Sequence, residues 1–450
     1  MNAPFDSLRS LRAEPSMNSA ETVYLFRHAL LRDAAYQLQL PGDRARLHGL
    51  AFAVIEALCG GRAPEPPSLE NRSVREIPPW AGDGSAFELA EQARLAAEGG
   101  DGGEFPALRI LYLRRAAEYA QRHFQAEDAL RCWRALAGLA AGAARGEALR
   151  RAGILAHQSG QAREGEQLLF QALVAQRDAR NPSGEGDVLG DLAVLYRQTG
   201  RIEQAGRELE RALALQRESG YRHGEAIILG NMGLLNMETG RMDLAREQFE
   251  LALPLLLACG DRRSAGLVLS NIGILWQETG RPEEAARTFE EALAVHREVG
   301  DLRGEGMSLA SLASVHETLG RHDESVRTNA RALEIHRQVG NRRGEGVVLG
   351  NGAGKLLNEG RLAEACSGFV QALAIHREVG NRRFEGIHLG GYARCLLALG
   401  RTREAEEAGR GGCEILAALK DPRADELKTS LRDACAKAGV PAFEGTEECE

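Results

Sequence analysis

The chain has 450 residues, a formal net charge of −8 and a pI near 5.9, so its overall field disfavours non-specific binding to phosphate backbones. Its eight cysteines form no C-x-x-C pair, which fits a reducing cytoplasm. The longest apolar run, Leu251 to Cys259, is too short to span a bilayer, and the N-terminus lacks the apolar core of a signal peptide. A soluble, cytoplasmic protein with no membrane partner is expected, and nucleic acid is disfavoured as a ligand.

Residues 1–22 are polar, carry Pro4 and Pro15 and show no period, so they are expected to be disordered. In 23–60, Leu30, Leu31, Ala34, Leu38, Leu47, Leu50 and Val54 predict two helices around a Pro41-Gly42-Asp43 turn. Phe26, His28, Leu30, Ala35, Tyr36, Leu38, Arg46, Leu47 and His48 in this helical module resemble the end of the winged-helix region of STAND-type signalling ATPases, just before their repeat arrays. The resemblance implies a remnant of that arm. Nucleotide switching is not implied, because no G-x-x-x-x-G-K-[ST] occurs.

Residues 61–84, with Pro64, Pro66, Pro67, Pro78 and Pro79, read as a stiff extended linker. From 85 to 143 helical patterning resumes, and Ala117, Ala120, Ala129 and Trp133 mark a degenerate first repeat. From 144 to 420 the pattern is regular. Glycines close turns at Gly160, Gly200, Gly240, Gly280, Gly320, Gly360 and Gly400, forty residues apart, and a second series runs from Gly220 through Gly260, Gly300 and Gly340 to Gly380.

Within one unit, Leu229, Met232, Gly233 and Asn236 share a helix face, and after the turn at Gly240 so do Ala245, Phe249, Ala252, Leu253 and Leu256. Two such helices cannot bury their faces alone and must stack on neighbouring pairs. Gly233, Gly240, Ala245, Phe249 and Ala252, with Gly273, Gly280, Ala285, Phe289 and Ala292 and then Ala353, Gly360, Ala365, Phe369 and Ala372, resemble long tetratricopeptide repeats. The fold class implied is all-α, an alpha-alpha superhelix or solenoid. Ser325 and Asn329 depart from the pattern, so that hairpin is expected to pack more loosely. Residues 421–450 read as a capping helix and an acidic tail.

The first helices carry a second strip, opposite the core stripe. It holds Ile227, Asn231, Leu234 and Glu238, then Leu267, Asn271, Ile274 and Glu278, and continues at Asp191, Met307, Ser311, Val347 and Asn351. The resemblance places this strip on a concave, peptide-binding surface. An asparagine amide suits that task, since it donates and accepts together and so reads a main chain without reading its sequence. The candidate peptide-binding residues are Asp191, Ile227, Asn231, Leu234, Glu238, Asn271, Ile274, Glu278, Ser311 and Asn351.

Other features receive structural readings. Gly190, Gly230, Gly350 and Gly390, sharing a slot with Ser270 and Ala310, are expected to mark close approach of a neighbouring helix. Gly350 to Lys355 invites a phosphate-loop reading, which the helical register refutes. His296, His336 and His376 share a slot with Gln176 and Gln216 and are read as partners of helix C-terminal dipoles rather than metal ligands. Arginines stacked at Arg262, Arg263, Arg342 and Arg343 are read as ion pairs, with a basic edge as the sharper alternative. Pro254 is expected to kink its helix. No catalytic constellation, metal set or cofactor motif is present. The functional expectation is a non-enzymatic scaffold or sensor binding a partner's peptide; alternatives are a DNA-associated regulator using residues 23–60 and a cargo adaptor of the kind kinesin light chains resemble.

Overall fold

The computed structural model describes residues 40–70, 77–98, 103–123, 125–419, 421 and 423–443. Among them are nineteen α-helices and no strand. The chain divides into two compact units, residues 1–215 and 216–450, which are taken in turn.

In the first unit, α1 (Pro41–Leu58), α2 (Ala86–Ala97), α3 (Phe105–Arg122) and α4 (Ala126–Leu139) precede the hairpin of α5 (Gly142–Gln158) and α6 (Ala162–Asp178), which is followed by α7 (Pro182–Gln198). Pro41, Gly42 and Asp43 open a helix rather than forming the expected turn, because a proline at the first helical position loses no hydrogen bond. The first of the two helices expected around that turn lies outside the described residues. Phe52 of α1 is wedged edge-on against Phe105 and Tyr112, with centroids 5.7 and 5.6 Å away.

Among its described residues the proline-rich stretch has no helix before the short turn at Asp83–Ser85, and those residues are strapped to α3. Arg115, buried, donates to Asp83 Oδ1 at 2.8 Å and to the carbonyls of Pro64 and Pro78 at 3.2 and 3.0 Å. Ala63 N–H donates to Tyr112 Oη, which donates in turn to Glu56. Carbonyls in a non-helical stretch lack backbone partners, and those of Pro64 and Pro78 are satisfied by the buried guanidinium group.

The second unit repeats one hairpin. Its helices are α9 (Arg222–Glu238) and α10 (Met242–Ala258), α11 (Arg262–Glu278) and α12 (Pro282–Glu298), α13 (Leu302–Thr318) and α14 (His322–Gln338), α15 (Arg342–Asn358) and α16 (Leu362–Glu378), α17 (Arg382–Ala398) and α18 (Thr402–Ala418), then α19 (Arg423–Ala438). Remaining between the two series is α8 (Ile202–Glu218). Helix α9 ends in a Schellman turn: Gly240, at φ 74°, donates to Met237 O, and Arg241 N–H donates to Asn236 O. Thr239 Oγ1 donates to Leu235 O at 2.9 Å, and Thr279 repeats this on Leu275. At the starts of α11, α13 and α15, Asp261, Asp301 and Asn341 accept from the backbone N–H three residues on.

Phe249, Phe289 and Phe369 are each at most 1% exposed. A Cβ added to Gly233 would lie 2.4 Å from the Phe249 ring, so the glycine is a seat for the aromatic. Helix α10 runs on through Pro254, which faces outward. The final helix α19 buries Leu431 and Cys435 beside Phe443.

Candidate functional site

The side chains of α9, α11 and α13 that face away from their own second helices enclose a hollow of about 300 Å³. Ile227, Asn231 and Leu234 come from α9, Asn271 and Ile274 from α11, and Ser311 from α13. They stay half-buried because no second helix covers them. Leu267 and Met307, 41% and 52% exposed, complete an apolar lining around the amides.

Four of the predicted residues lie elsewhere. Glu238 and Glu278 are exposed at helix ends and do not line the hollow. Asn351 lines a separate cavity further along the unit. Asp191, in the first unit, is held by Arg150 at 2.6 Å; burial pushes its carboxyl up to about 6, with Arg150 pulling against that and Asp187 and Glu147 adding to it. An acid already engaged by a guanidinium differs in kind from the half-open amides at Asn231 and Asn271.

The small-residue slot has two physical causes, and close approach of a neighbouring helix is the one at Gly350 and Gly390 but not at Gly230. A Cβ on Gly230 would meet only Val268 Cγ2, at an ordinary 3.6 Å, and Gly230 lines the hollow. Ser270 and Ser308 in its floor join their hydroxyls at 2.8 Å. At Gly350 and Gly390, side chains of the next first helix fill the place: a Cβ there would lie 2.1 Å from the His388 ring and from Leu427 Cδ1. Sequence reading missed Ser270, Ser308 and Val268 as parts of the site; the run of small residues was the signal, and the expected crowding does not hold at Gly230.

The second cavity, about 790 Å³, is lined by residues of every helix from α13 to α19. Asn351 borders it, and a hydrogen-bonded relay leads from that amide into the core. His388 Nε2 lies 3.3 Å from Asn351 Oδ1, His388 Nδ1 lies 2.9 Å from His376 Nε2, and Asn381 Nδ2 lies 3.4 Å from His376 Nδ1. One proton arrangement satisfies all of them: Asn381 donates to His376, His376 to His388, and His388 to Asn351. Burial, then His376 and Arg423, push His388 down to about 3, so both rings are neutral at pH 7. The Asn351 Oδ1 is thereby fixed inward, leaving its NH2 group to the cavity.

The histidine ladder also corrects an expectation. His296, His336 and His376 are at most 1% exposed, and burial lowers each below its ordinary value, so they are neutral wedges rather than cations on a helix dipole. A Cβ on Gly304 or Gly344 would lie 2.4 or 2.6 Å from the His296 or His336 ring. Gln176 fills the same post between Gly146 and Gly184.

Arginines at the inter-repeat loops are taken up in ion pairs. Arg297, Arg337 and Arg377 reach Glu305, Glu345 and Glu385 at 2.8, 2.9 and 2.9 Å. Arg262 pairs with Glu298 and Arg342 with Glu345 and Glu378. Burial alone would raise Glu345, but donation from Arg337 and Arg342 holds its carboxyl below the usual range. Gly350 to Lys355 lie inside α15, where Lys355 donates to His322 O at 2.8 Å and pairs with Glu317 at 3.1 Å.

The family model of the tetratricopeptide repeat matches three overlapping stretches, 184–258, 224–298 and 264–338. These hairpins are therefore tetratricopeptide repeats in an all-α solenoid fold. Among curated proteins none matches significantly. Similar solved structures include a STAND protein with a tetratricopeptide repeat sensor from Pyrococcus horikoshii, at 14% identity, 93% of this chain and 68% of that one, TM-score 0.54. The apo form of the quorum sensor NprR from B. thuringiensis is similar at 14% identity over 74% of this chain and 96% of that one, TM-score 0.53. A Rap protein complexed with competence and sporulation factor is similar at 12% identity over 84% and 99%, TM-score 0.57. At such identities the likeness establishes the fold alone. None of the helices searched among the described residues is long and apolar enough to cross a membrane.

Proposed function

We propose that the chain is a non-enzymatic, cytoplasmic signalling module that holds an extended peptide segment of a partner protein on the first helices of its repeats. The observation that carries this reading is the hollow that unites Ile227, Asn231, Leu234, Asn271, Ile274 and Ser311. Amides on successive helices match the alternating donors and acceptors of an extended main chain, and the leucine and isoleucine beside them remove apolar side chains from water. Fold likeness to a Rap protein solved in complex with competence and sporulation factor supports a binding role. Within the second unit, Glu238, Glu278 and Asn351 fit as residues that extend or flank the peptide track.

The test is retention of a degenerate octapeptide pool by the immobilised full chain, read by mass spectrometry. With Asn231→Ala and Asn271→Ala combined, two main-chain hydrogen bonds are lost and retention is expected to fall roughly tenfold. Peptides held equally well by the double variant would place binding elsewhere.

A further inference from the structure

The repeat register puts a buried ring at Phe249, Phe289 and Phe369. In α14 that place is taken by Asn329, which is half-buried and spends its Nδ2 on Val348 O at 3.4 Å. Across from it α15 offers no bulk: a Cβ on Gly352 would meet only Asn329 Nδ2, at 3.1 Å, and nothing lies within 4 Å of one on Gly354. The cavity of about 790 Å³ takes in the space these omissions leave, walled there by Ala310, Ala313, Leu333 and Val348. A void at a place where three other hairpins supply their own phenylalanine is shaped for a ring from outside.

Charge on its rim narrows the guest further. Lys355, Arg361 and Arg423 border the cavity but are paired with Glu317, Glu364 and Asp421. Arg394 borders it too, exposed and without an ion pair or hydrogen bond among the described residues. Beside it the His376–His388 relay turns the NH2 group of Asn351 toward the cavity. The rim thus presents donors, with Arg394 on α17 and Glu426 on α19 as its charges outside any ion pair among the described residues.

We propose that this cavity is an anchor pocket for an aromatic side chain of a bound peptide, with an acidic residue next to the aromatic drawn by Arg394. The assignment rests on the peptide-binding reading and specifies its partner, since Ser311 in the first hollow and Ser314 in the second lie one turn apart on α13. A peptide leaving Asn271 along that helix arrives at the pocket.

The experiment uses the full chain with two octapeptide pools, one with both ends blocked and one with a free C-terminus. Aromatic residues are expected to be enriched roughly tenfold or more among retained peptides, with an acidic residue at their side in the blocked pool. A preference confined to the free-ended pool would transfer the acidic role to a terminal carboxylate and overturn the side-chain assignment. Asn329→Phe returns the ring that the register lacks and is expected to erase aromatic enrichment while leaving retention through Asn231 and Asn271. Gly354→Leu fills the same space from the opposite wall, and Arg394→Gln should remove only the acidic preference. N-acetyl-L-tyrosinamide provides an arm independent of the groove, with saturation transfer to the wild type and none to Asn329→Phe or Gly354→Leu. Aromatic enrichment that survives both filling variants overturns the pocket. Retained peptides that need Asn231 and Asn271 but show no aromatic preference also overturn it, and leave the peptide-binding reading standing. Transfer to the tyrosine probe without any peptide retention keeps the pocket and sinks the groove.

Discussion

At Gly344 a methyl group has no room, whereas at Gly230 it has. A Cβ at the first would press on the His336 ring at 2.6 Å, and one at the second would rest on Val268 at 3.6 Å. Gly344→Ala is therefore expected to lower stability by about 1–3 kcal/mol through overpacking. Gly230→Ala is expected to leave stability unchanged or raise it by up to about 1 kcal/mol through helix propensity. Thermal melting of the two variants side by side checks the contrast. Sequence alone does not separate the two, because composition does not distinguish a seat filled by a neighbour from a wall left open. The histidines were misread for a similar reason, although Gln176 and Gln216 in their slot already pointed to an uncharged role.

Among elements, the proline-rich stretch before α2 and the helix it crosses depend on one buried pair. Arg115 and Asp83 have side chains 1% and 6% exposed at 2.8 Å, and Arg122 adds a second contact to Asp83 at 2.9 Å. Asp83→Ala leaves a buried guanidinium without its carboxylate, a change that costs about 3–5 kcal/mol in comparable cases. Limited proteolysis is expected to cut the 62–82 stretch of this variant while sparing the wild type. No period announces this contact. Its partners are thirty-two residues apart in an irregular segment, so sequence reading saw only stiffness. The helices of the repeats were legible to within a few residues, because glycine at φ near 70° and the periodic alanine and phenylalanine each fix a boundary or a face. Pro41 was the exception, since proline both ends turns and begins helices.

For the whole chain, the forty-residue period carried nearly all that could be foreseen. It located the first-helix strip, eight of whose residues share a hollow, because a face left uncovered by its own hairpin is set by the repeat alone. It could not locate the second cavity, which comes from a break in the period at Asn329 combined with glycines that each look ordinary. The ladder of wedges gives the array a dependence on pH. His296, His336, His376 and His388 all sit below the ordinary histidine value of about 6.5. The unfolded chain binds protons that the folded chain refuses, so their contribution is full above about pH 6.5 and diminishes as pH falls toward the folded values. Melting between pH 8 and 5 is expected to show that decline, and His296→Gln with His336→Gln is expected to flatten it, since glutamine already serves at 176 and 216. An unaltered slope in the double variant would assign the effect to other groups.

These wedges differ in chemistry along the chain. Glutamine stands at 176 and 216, leucine at 256, histidine at 296, 336 and 376, and leucine again at 416. Mild acid therefore weakens a stretch of joints bordered on both sides by proton-indifferent ones. Because each hairpin senses only its neighbours, slackening there uncouples the flanking blocks, and thaws that begin at the ends near neutrality would begin in the interior instead.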